Sequence, residues 1–232
     1  MINSHAKSIV ITGCSYGIGR ALTEEFIRLG HFVYGGARSK DALAHLTETY
    51  PHPHLFATLD VSDPKSVHTW SARILEQTTP DILINNAAQI LTPAKLWEID
   101  NVTLQNLVKV NILGTMYVCR AFVPSLLQKG QGIIVNLSSG AGRMGIPDIG
   151  AYCTTKWAIE GFSKSLQADL PPSIGVIPLN PGIVDTQMLR TIWNEGASQA
   201  PEPQPWARTA AQYILSLNPS QGGQSLTIPN AS

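Results

Sequence analysis

Short continuous apolar runs alternate along this chain with longer stretches whose apolar residues return at helical spacing. Ser8–Thr12 (Ser-Ile-Val-Ile-Thr) is a continuous apolar run, as expected for a strand buried on both faces. A glycine loop follows, then a helical pattern from Ile18 to Leu29 ended by Gly30. The pattern next predicts a strand over Phe32–Gly35, a helix over Asp41–Thr49 and a strand over Leu55–Leu59. Ser62 or Asp63 can cap the following helix, with Pro64 suited to its first turn. Asp81–Ile84 reads as a fourth strand, Val102–Gln128 as a long helix and Ile133–Leu137 as a fifth strand. Ala151–Leu170 is a second long helix, stopped by Pro171-Pro172, and Gly175–Leu179 a sixth strand. A final helix over Trp206–Leu217 and a strand over Ser225–Ile228 complete the series.

This alternation predicts an α/β fold: a doubly wound, Rossmann-type parallel sheet of about seven strands with helices on both faces. Crossovers should be right-handed, and a ligand should bind beyond the carboxyl ends of the strands. No repeat, low-complexity tract or linker divides the chain, so residues 1–232 are expected to form one domain.

Composition adds exclusions. Sixteen basic and 16 acidic residues balance to a formal charge of +0, with no basic stripe, which argues against nucleic acid or an anionic membrane as partner. Cys14, Cys119 and Cys153 are too few and odd in number for a disulfide framework, and read as reduced thiols. The N-terminus lacks a signal-peptide pattern, and no apolar stretch is read as spanning a bilayer. A cytoplasmic location is the resulting expectation.

Candidate chemistry sits at three places. Gly13, Gly17 and Gly19 lie between the first strand and a helix, where glycine permits a tight turn and close approach of a diphosphate to the helix N-terminus. A plain strand-to-helix turn would also use glycine, and the spacing is not the common G-x-G-x-x-G. Tyr152 and Lys156 are four residues apart, hence one turn apart on one helix face. A free tyrosine has a pKa of about 10, and a nearby cation lowers it toward proton exchange with an alcohol or carbonyl oxygen. Ser139 ends the fifth strand, where its hydroxyl could hold the same oxygen. At the end of the second strand, Arg38 and Ser39 stand where an acid would bind the 2′-hydroxyl of NAD. A guanidinium there suits a 2′-phosphate, so NADP(H) is expected over NAD(H).

These residues resemble the short-chain dehydrogenase/reductase family in its single-domain, carbonyl-reducing form, over nearly the whole chain. Thr12-Gly13-x-x-x-Gly17-x-Gly19 is similar to its cofactor loop, and Asn85-Asn86-Ala87-Ala88 to its Asn-Asn-Ala-Gly motif. The resemblance implies hydride transfer between a nicotinamide and a carbonyl or secondary alcohol carbon, with Tyr152 exchanging the proton. Lys156 would bind the nicotinamide ribose and lower the Tyr152 pKa, Ser139 would polarise the carbonyl, and Asn111 would hold a water by distorting its helix. Ser15, Tyr16, Ile18, Asp60, Val61, Asn86, Ala87, Ala88, Pro181, Gly182, Val184 and Thr186 would complete the cofactor contacts. The family forms dimers or tetramers through its long helices, so a homodimer or homotetramer is expected. Ala88 in place of glycine and the absence of an Asp-Gly-Gly tail depart from the pattern, and the second leaves the last strand in doubt.

His52-Pro53-His54 lacks further ligands, and no metal is assigned. The segment from Trp193 to Trp206 reads equally as an irregular loop or as a substrate lid, within a substrate loop near 186–206. If it is a lid, Met144, Ile146, Ile149, Met188, Leu189 and Trp193 would line an apolar pocket, with Arg143 and Arg190 left as possible anion contacts. Two alternatives carry less weight. A non-catalytic NADP(H)-binding regulator or scaffold need not keep Asn111, Ser139, Tyr152 and Lys156. A sugar-nucleotide epimerase would need an additional domain.

Overall fold

The computed structural model describes residues 6–229. The extreme N-terminal residues and the last three of the tail, on which part of the terminal reading rested, lie outside the described residues. Seven parallel strands form one sheet in the order β3-β2-β1-β4-β5-β6-β7. They are β1 (Ser8–Thr12), β2 (Phe32–Ala37), β3 (Leu55–Thr58), β4 (Ile82–Asn85), β5 (Gly132–Leu137), β6 (Ile174–Asn180) and β7 (Leu226–Thr227). The strand order reverses between β1 and β4, which opens a crevice at their carboxyl ends.

Helices cover both faces. α1 (Gly17–Arg28), α2 (Lys40–Thr49) and α8 (Pro203–Ser216) build one layer, with Leu22, Phe26, Leu46 and Ile214 fully buried against Ile9 and Ile11 of β1. α3 (Pro64–Leu75), α4 (Asn101–Val108), α5 (Thr115–Lys129) and α6 (Gly150–Asp169) build the other. There Trp70 of α3 meets Phe122 of α5 edge to face, their ring centroids 5.7 Å apart. Asp63 caps α3, accepting from Lys65 N at 2.9 Å, with Pro64 at the first helical position.

The long central helix is not continuous. Between α4 and α5, Lys109–Gly114 form a π turn. A wider turn leaves backbone groups out of the regular ladder and commonly marks a functional site. By length and composition, Asn101–Lys129 passes as long and apolar enough to cross a membrane, its most apolar 18-residue window having a mean hydropathy of 1.4, contrary to the sequence expectation. Its Leu107, Val118, Cys119, Phe122 and Leu126 are buried in this protein's own core.

The segment after β6 also departs from the expectation. α7 (Gln187–Trp193), a 3₁₀ stretch over Asn194–Gln199 and an α8 that starts at Pro203 replace most of the supposed irregular loop. Trp206 is buried and donates from Nε1 to Pro181 O at 2.9 Å, so it anchors α8 rather than lining a substrate pocket. β7 forms in spite of the divergent tail, but is only two residues long.

Candidate active site

The carboxyl ends of the strands enclose a cavity of about 360 Å³ that runs from Arg38 past the glycine loop to Tyr152 and Met188. Its floor is locked by Thr12 and Asn86. Thr12 Oγ1 accepts from the backbone N–H groups of Asn86 and Ala87 at 3.1 and 3.0 Å. Asn86 Nδ2 donates back to Thr12 O and Gly13 O at 2.8 and 3.0 Å. Gly13 and Gly17 adopt φ of +72° and +53°, the left-handed region that favours glycine. A Cβ on Gly19 would collide with the Gly13 carbonyl oxygen and with Asn86 Nδ2. Gly19 therefore lets α1 approach the loop, and does not itself line the cavity. Thr186 caps α7 and lies opposite the loop, where its Cγ2 would stand 3.3 Å from a Cβ on Gly17.

At the adenosine end a guanidinium stands beyond β2. Arg38 is exposed, borders the cavity and has no ion pair among the described residues. Ser39 caps α2, and its Oγ lies 3.2 Å from the Tyr16 hydroxyl. No carboxylate stands at the end of β2. Asp60 borders the cavity with Val61, and its Oδ1 accepts from the Ser62 N–H and hydroxyl at 2.9 and 2.7 Å. Ser15, Ile18, Ala87, Ala88 and Pro181 also border the cavity. Glycines that leave room for a diphosphate, followed by an unpaired guanidinium, fit NADP(H).

The other end is catalytic in character. Tyr152 and Lys156 lie on α6, both buried and both bordering the cavity. Lys156 Nζ donates to Leu137 O at 2.7 Å, which leaves further N–H groups for a ligand. The ammonium sits 5.7 Å from the Tyr152 ring centroid. Burial pushes the Tyr152 phenol up to about 12, opposed by a hydrogen bond from Ser139, and pushes Lys156 down to about 8. In the chain by itself desolvation outweighs the Ser139 hydrogen bond at the phenol. Ser139 is half-buried beside the phenol, and its Oγ accepts from Ala141 N at 3.1 Å.

Asn111 stands in the π turn, behind the cavity wall. Its Nδ2 donates to Gln89 O and Thr155 Oγ1 at 2.8 and 3.0 Å, and its Oδ1 accepts from Gln89 N at 2.7 Å. Thr155 in turn donates to Tyr152 O at 2.8 Å. The side chain therefore ties the segment after β4 to the helix that carries Tyr152.

The short chain dehydrogenase family model matches residues 7–196, across the glycine loop, Asn111, Ser139, Tyr152 and Lys156. The chain belongs to that family. Among curated family members, the NADPH-dependent pterin aldehyde reductase of Arabidopsis thaliana is 39% identical over 226 residues, covering 96% of this chain and 93% of the relative. An alcohol dehydrogenase of Thermococcus sibiricus complexed with 5-hydroxy-NADP superposes with a TM-score of 0.82 at 28% identity, covering 96% of each chain. A 3-ketoacyl-(acyl-carrier-protein) reductase of Brucella melitensis complexed with NADH gives 0.86 at 26% identity, again over 96% of each. Both cofactor forms thus occur on this fold, and the residues at the end of β2 decide between them.

Within this dehydrogenase some expected residues fall elsewhere. Val184 is buried in the core under α8, and Gly182 serves a turn at φ +76°, so neither borders the cavity. Of the expected substrate pocket, Met188 borders the cavity and Ile149 packs with Tyr152, whereas Met144 and Trp193 are exposed. Arg143 is held by Glu160, Leu226 O and Thr227, and Arg190 by Asp185. Ile90 and Ile192 pack against Tyr152 and Cys153 without having been anticipated. Nor were Gly36, Ala37, Leu59, Gln89 and Ser138, which border the cavity. Their position at strand ends was the signal available for most of them. All three cysteines are free and buried, and no metal-binding cluster occurs among the described residues.

Proposed function

We propose that this NADP(H)-dependent carbonyl oxidoreductase works as a reductase on an aldehyde carried by a flat, largely apolar group. NADP(H) supplies the hydride when bound, cradled by Gly13 and Gly17 and selected by Arg38. Tyr152 delivers the proton to the carbonyl oxygen from its phenol. The single observation that carries this reading is geometric: Tyr152 and Lys156 lie on one face of α6 and both border the cavity, with the ammonium 5.7 Å from the Tyr152 ring centroid. Ser139 supports the same oxygen, and Lys156 holds the ribose hydroxyls while its Nζ stays fixed on Leu137 O. The Asn111–Thr155 contacts keep α6 in register with the cofactor wall. The aldehyde substrate class rests on the pterin aldehyde reductase of Arabidopsis thaliana, while Ile90, Ile149 and Ile192 pack with Tyr152 and make its own surroundings apolar.

The test is NADPH consumption with a panel of aromatic and heteroaromatic aldehydes, comparing wild type with Tyr152→Phe. A loss of about 10²–10⁴-fold in kcat with NADPH affinity kept is expected. Unchanged turnover in the variant would refute the assignment of the proton donor. We further propose a homodimer or homotetramer through α4, α5 and α6, where Val108, Met116 and Trp157 are exposed on neighbouring helices. Light scattering of wild type beside Trp157→Glu checks it, with a shift toward monomer expected.

A further inference from the structure

Ser139 stands just beyond the sheet. Ser138 N donates to Leu179 O at 2.8 Å, and the chain then leaves the strand ladder for a 3₁₀ turn over Gly140–Gly142. Ser139 Oγ accepts from Ala141 N at 3.1 Å, Gly142 N donates to Ser139 O at 3.0 Å and Arg143 N to Gly140 O at 3.0 Å. These bonds fix the shape of the turn. They do not fix where it lies relative to α6, which carries Tyr152 and Lys156. A Cβ on Gly142 would stand 2.7 Å from Ser138 Oγ and 2.9 Å from Lys156 O, so the turn rests directly on the α6 backbone.

Arg143 ends the turn and ties it down. Its Nε lies 3.0 Å from Glu160 Oε1. Glu160 is four residues past Lys156 and eight past Tyr152, hence on the same face of α6, one and two turns further on. Its side chain is only 7% exposed, and its second oxygen accepts from Ser225 Oγ. The other Arg143 nitrogens donate to Leu226 O and Thr227 Oγ1 at 2.6 and 2.8 Å. One guanidinium thus joins the Ser139 turn, α6 and β7. A buried carboxylate holds its cation firmly, because without it the charge would be left desolvated and unpaired. Neither Arg143 nor Glu160 borders the cavity, so an effect on the reaction must run through the groups they hold.

Resting on the carbonyl-reductase reading above, we propose that Arg143 is a positioning residue for the reaction: its pair with Glu160 clamps the Ser139 turn onto α6 and so sets where the Ser139 hydroxyl stands relative to the Tyr152 phenol. The two hydroxyls must meet the same carbonyl oxygen, one from a turn outside the sheet and one from a helix. A displacement of about 1 Å between such groups can cost about 10²-fold in rate. The contacts to Leu226 and Thr227 brace the guanidinium from outside, which gives the short last strand a part in the geometry of the site.

A double-mutant cycle tests this, with NADPH and the aldehyde panel above, well below the melting transition and with turnover counted per NADPH-binding site. Arg143→Ala lowers kcat about 10- to 100-fold and leaves the dissociation constant of NADPH within about twofold. In a Ser139→Ala background, where the positioned hydroxyl is already gone, adding Arg143→Ala costs less than about twofold more. A merely structural role would cost the same factor in both backgrounds. Glu160→Gln, which keeps acceptors for Ser225 and Arg143 but loses the charge, shows the same non-additivity at about three- to tenfold and serves if Arg143→Ala does not fold. Wild-type kcat in the folded variant, or an equal loss with and without the Ser139 hydroxyl, overturns the proposal. Wild-type turnover in Ser139→Ala would instead overturn the role of Ser139, and the clamp with it. Failure of wild type with bound NADPH to reduce any aldehyde would overturn the reductase reading itself.

Discussion

Arg38 is the residue whose removal should separate the two nicotinamide cofactors. Its guanidinium borders the adenosine end of the cavity beside Ser39 and Tyr16, with no internal carboxylate to satisfy it among the described residues. A hydrogen bond between charged partners contributes about 1.5–3 kcal/mol. Arg38 is exposed, and solvent and salt screen it, so the lower half of that range applies. Arg38→Ala is therefore expected to raise the dissociation constant of NADPH about 10- to 40-fold. The dissociation constant of NADH, which lacks the 2′-phosphate, should stay within about twofold. Fluorescence titration of both cofactors into wild type and variant measures this. The wild-type advantage of NADPH should shrink as salt is raised, while the variant should be nearly insensitive. The melting temperature should not move, because no ion pair is lost. An equal loss for NADH and NADPH, or no loss for NADPH, would refute the assignment of Arg38 to the phosphate.

Gly19→Ala forces a Cβ against the Gly13 carbonyl and Asn86, so backbone must shift. A stability loss of about 1–3 kcal/mol in denaturant melts is expected, with weaker NADPH binding. Arg143→Ala leaves Glu160 buried without its cation and releases Leu226 O. Faster amide exchange around β7 and a loss of about 2–3 kcal/mol should follow, with NADPH affinity unchanged. His31 and His54 accept backbone N–H bonds from Lys7 and Val33 through Nδ1, at 3.1 and 3.2 Å. Burial holds both below the ordinary 6.5, so the unfolded chain binds protons that the native chain refuses. Their contribution is complete above about pH 6.5 and is lost as pH falls through and below it. Urea melts at pH 7.5 and 5.5 should show this loss, and His54→Gln, which can still accept from Val33, should show less of it.

Much of this protein follows from local pattern. The parallel sheet, the glycine positions and the one-turn spacing of Tyr152 and Lys156 are short-range features, set by backbone sterics and by the periods of strand and helix. Arg38 at a strand end was legible for the same reason, because position relative to one element sufficed to interpret it.

What tertiary packing decided were matters of partnership between residues distant in sequence. Asn111 meets Gln89 and Thr155 across 22 and 44 positions, and Arg143 meets Leu226 across 83. No periodicity announces such pairs, so the sequence left open whether Arg143 could meet a substrate anion, and the fold commits it to Glu160 and β7. The surroundings of Tyr152 depend on packing in the same way. Its spacing from Lys156 puts the two on one helix face, while the depth at which α6 is buried desolvates both groups, pushing the phenol up and the ammonium down. The sequence determines which side chains share a helix face, because that depends only on helical geometry. Whether they meet water, a carboxylate or a carbonyl depends on every element packed around them, and only the folded chain specifies that.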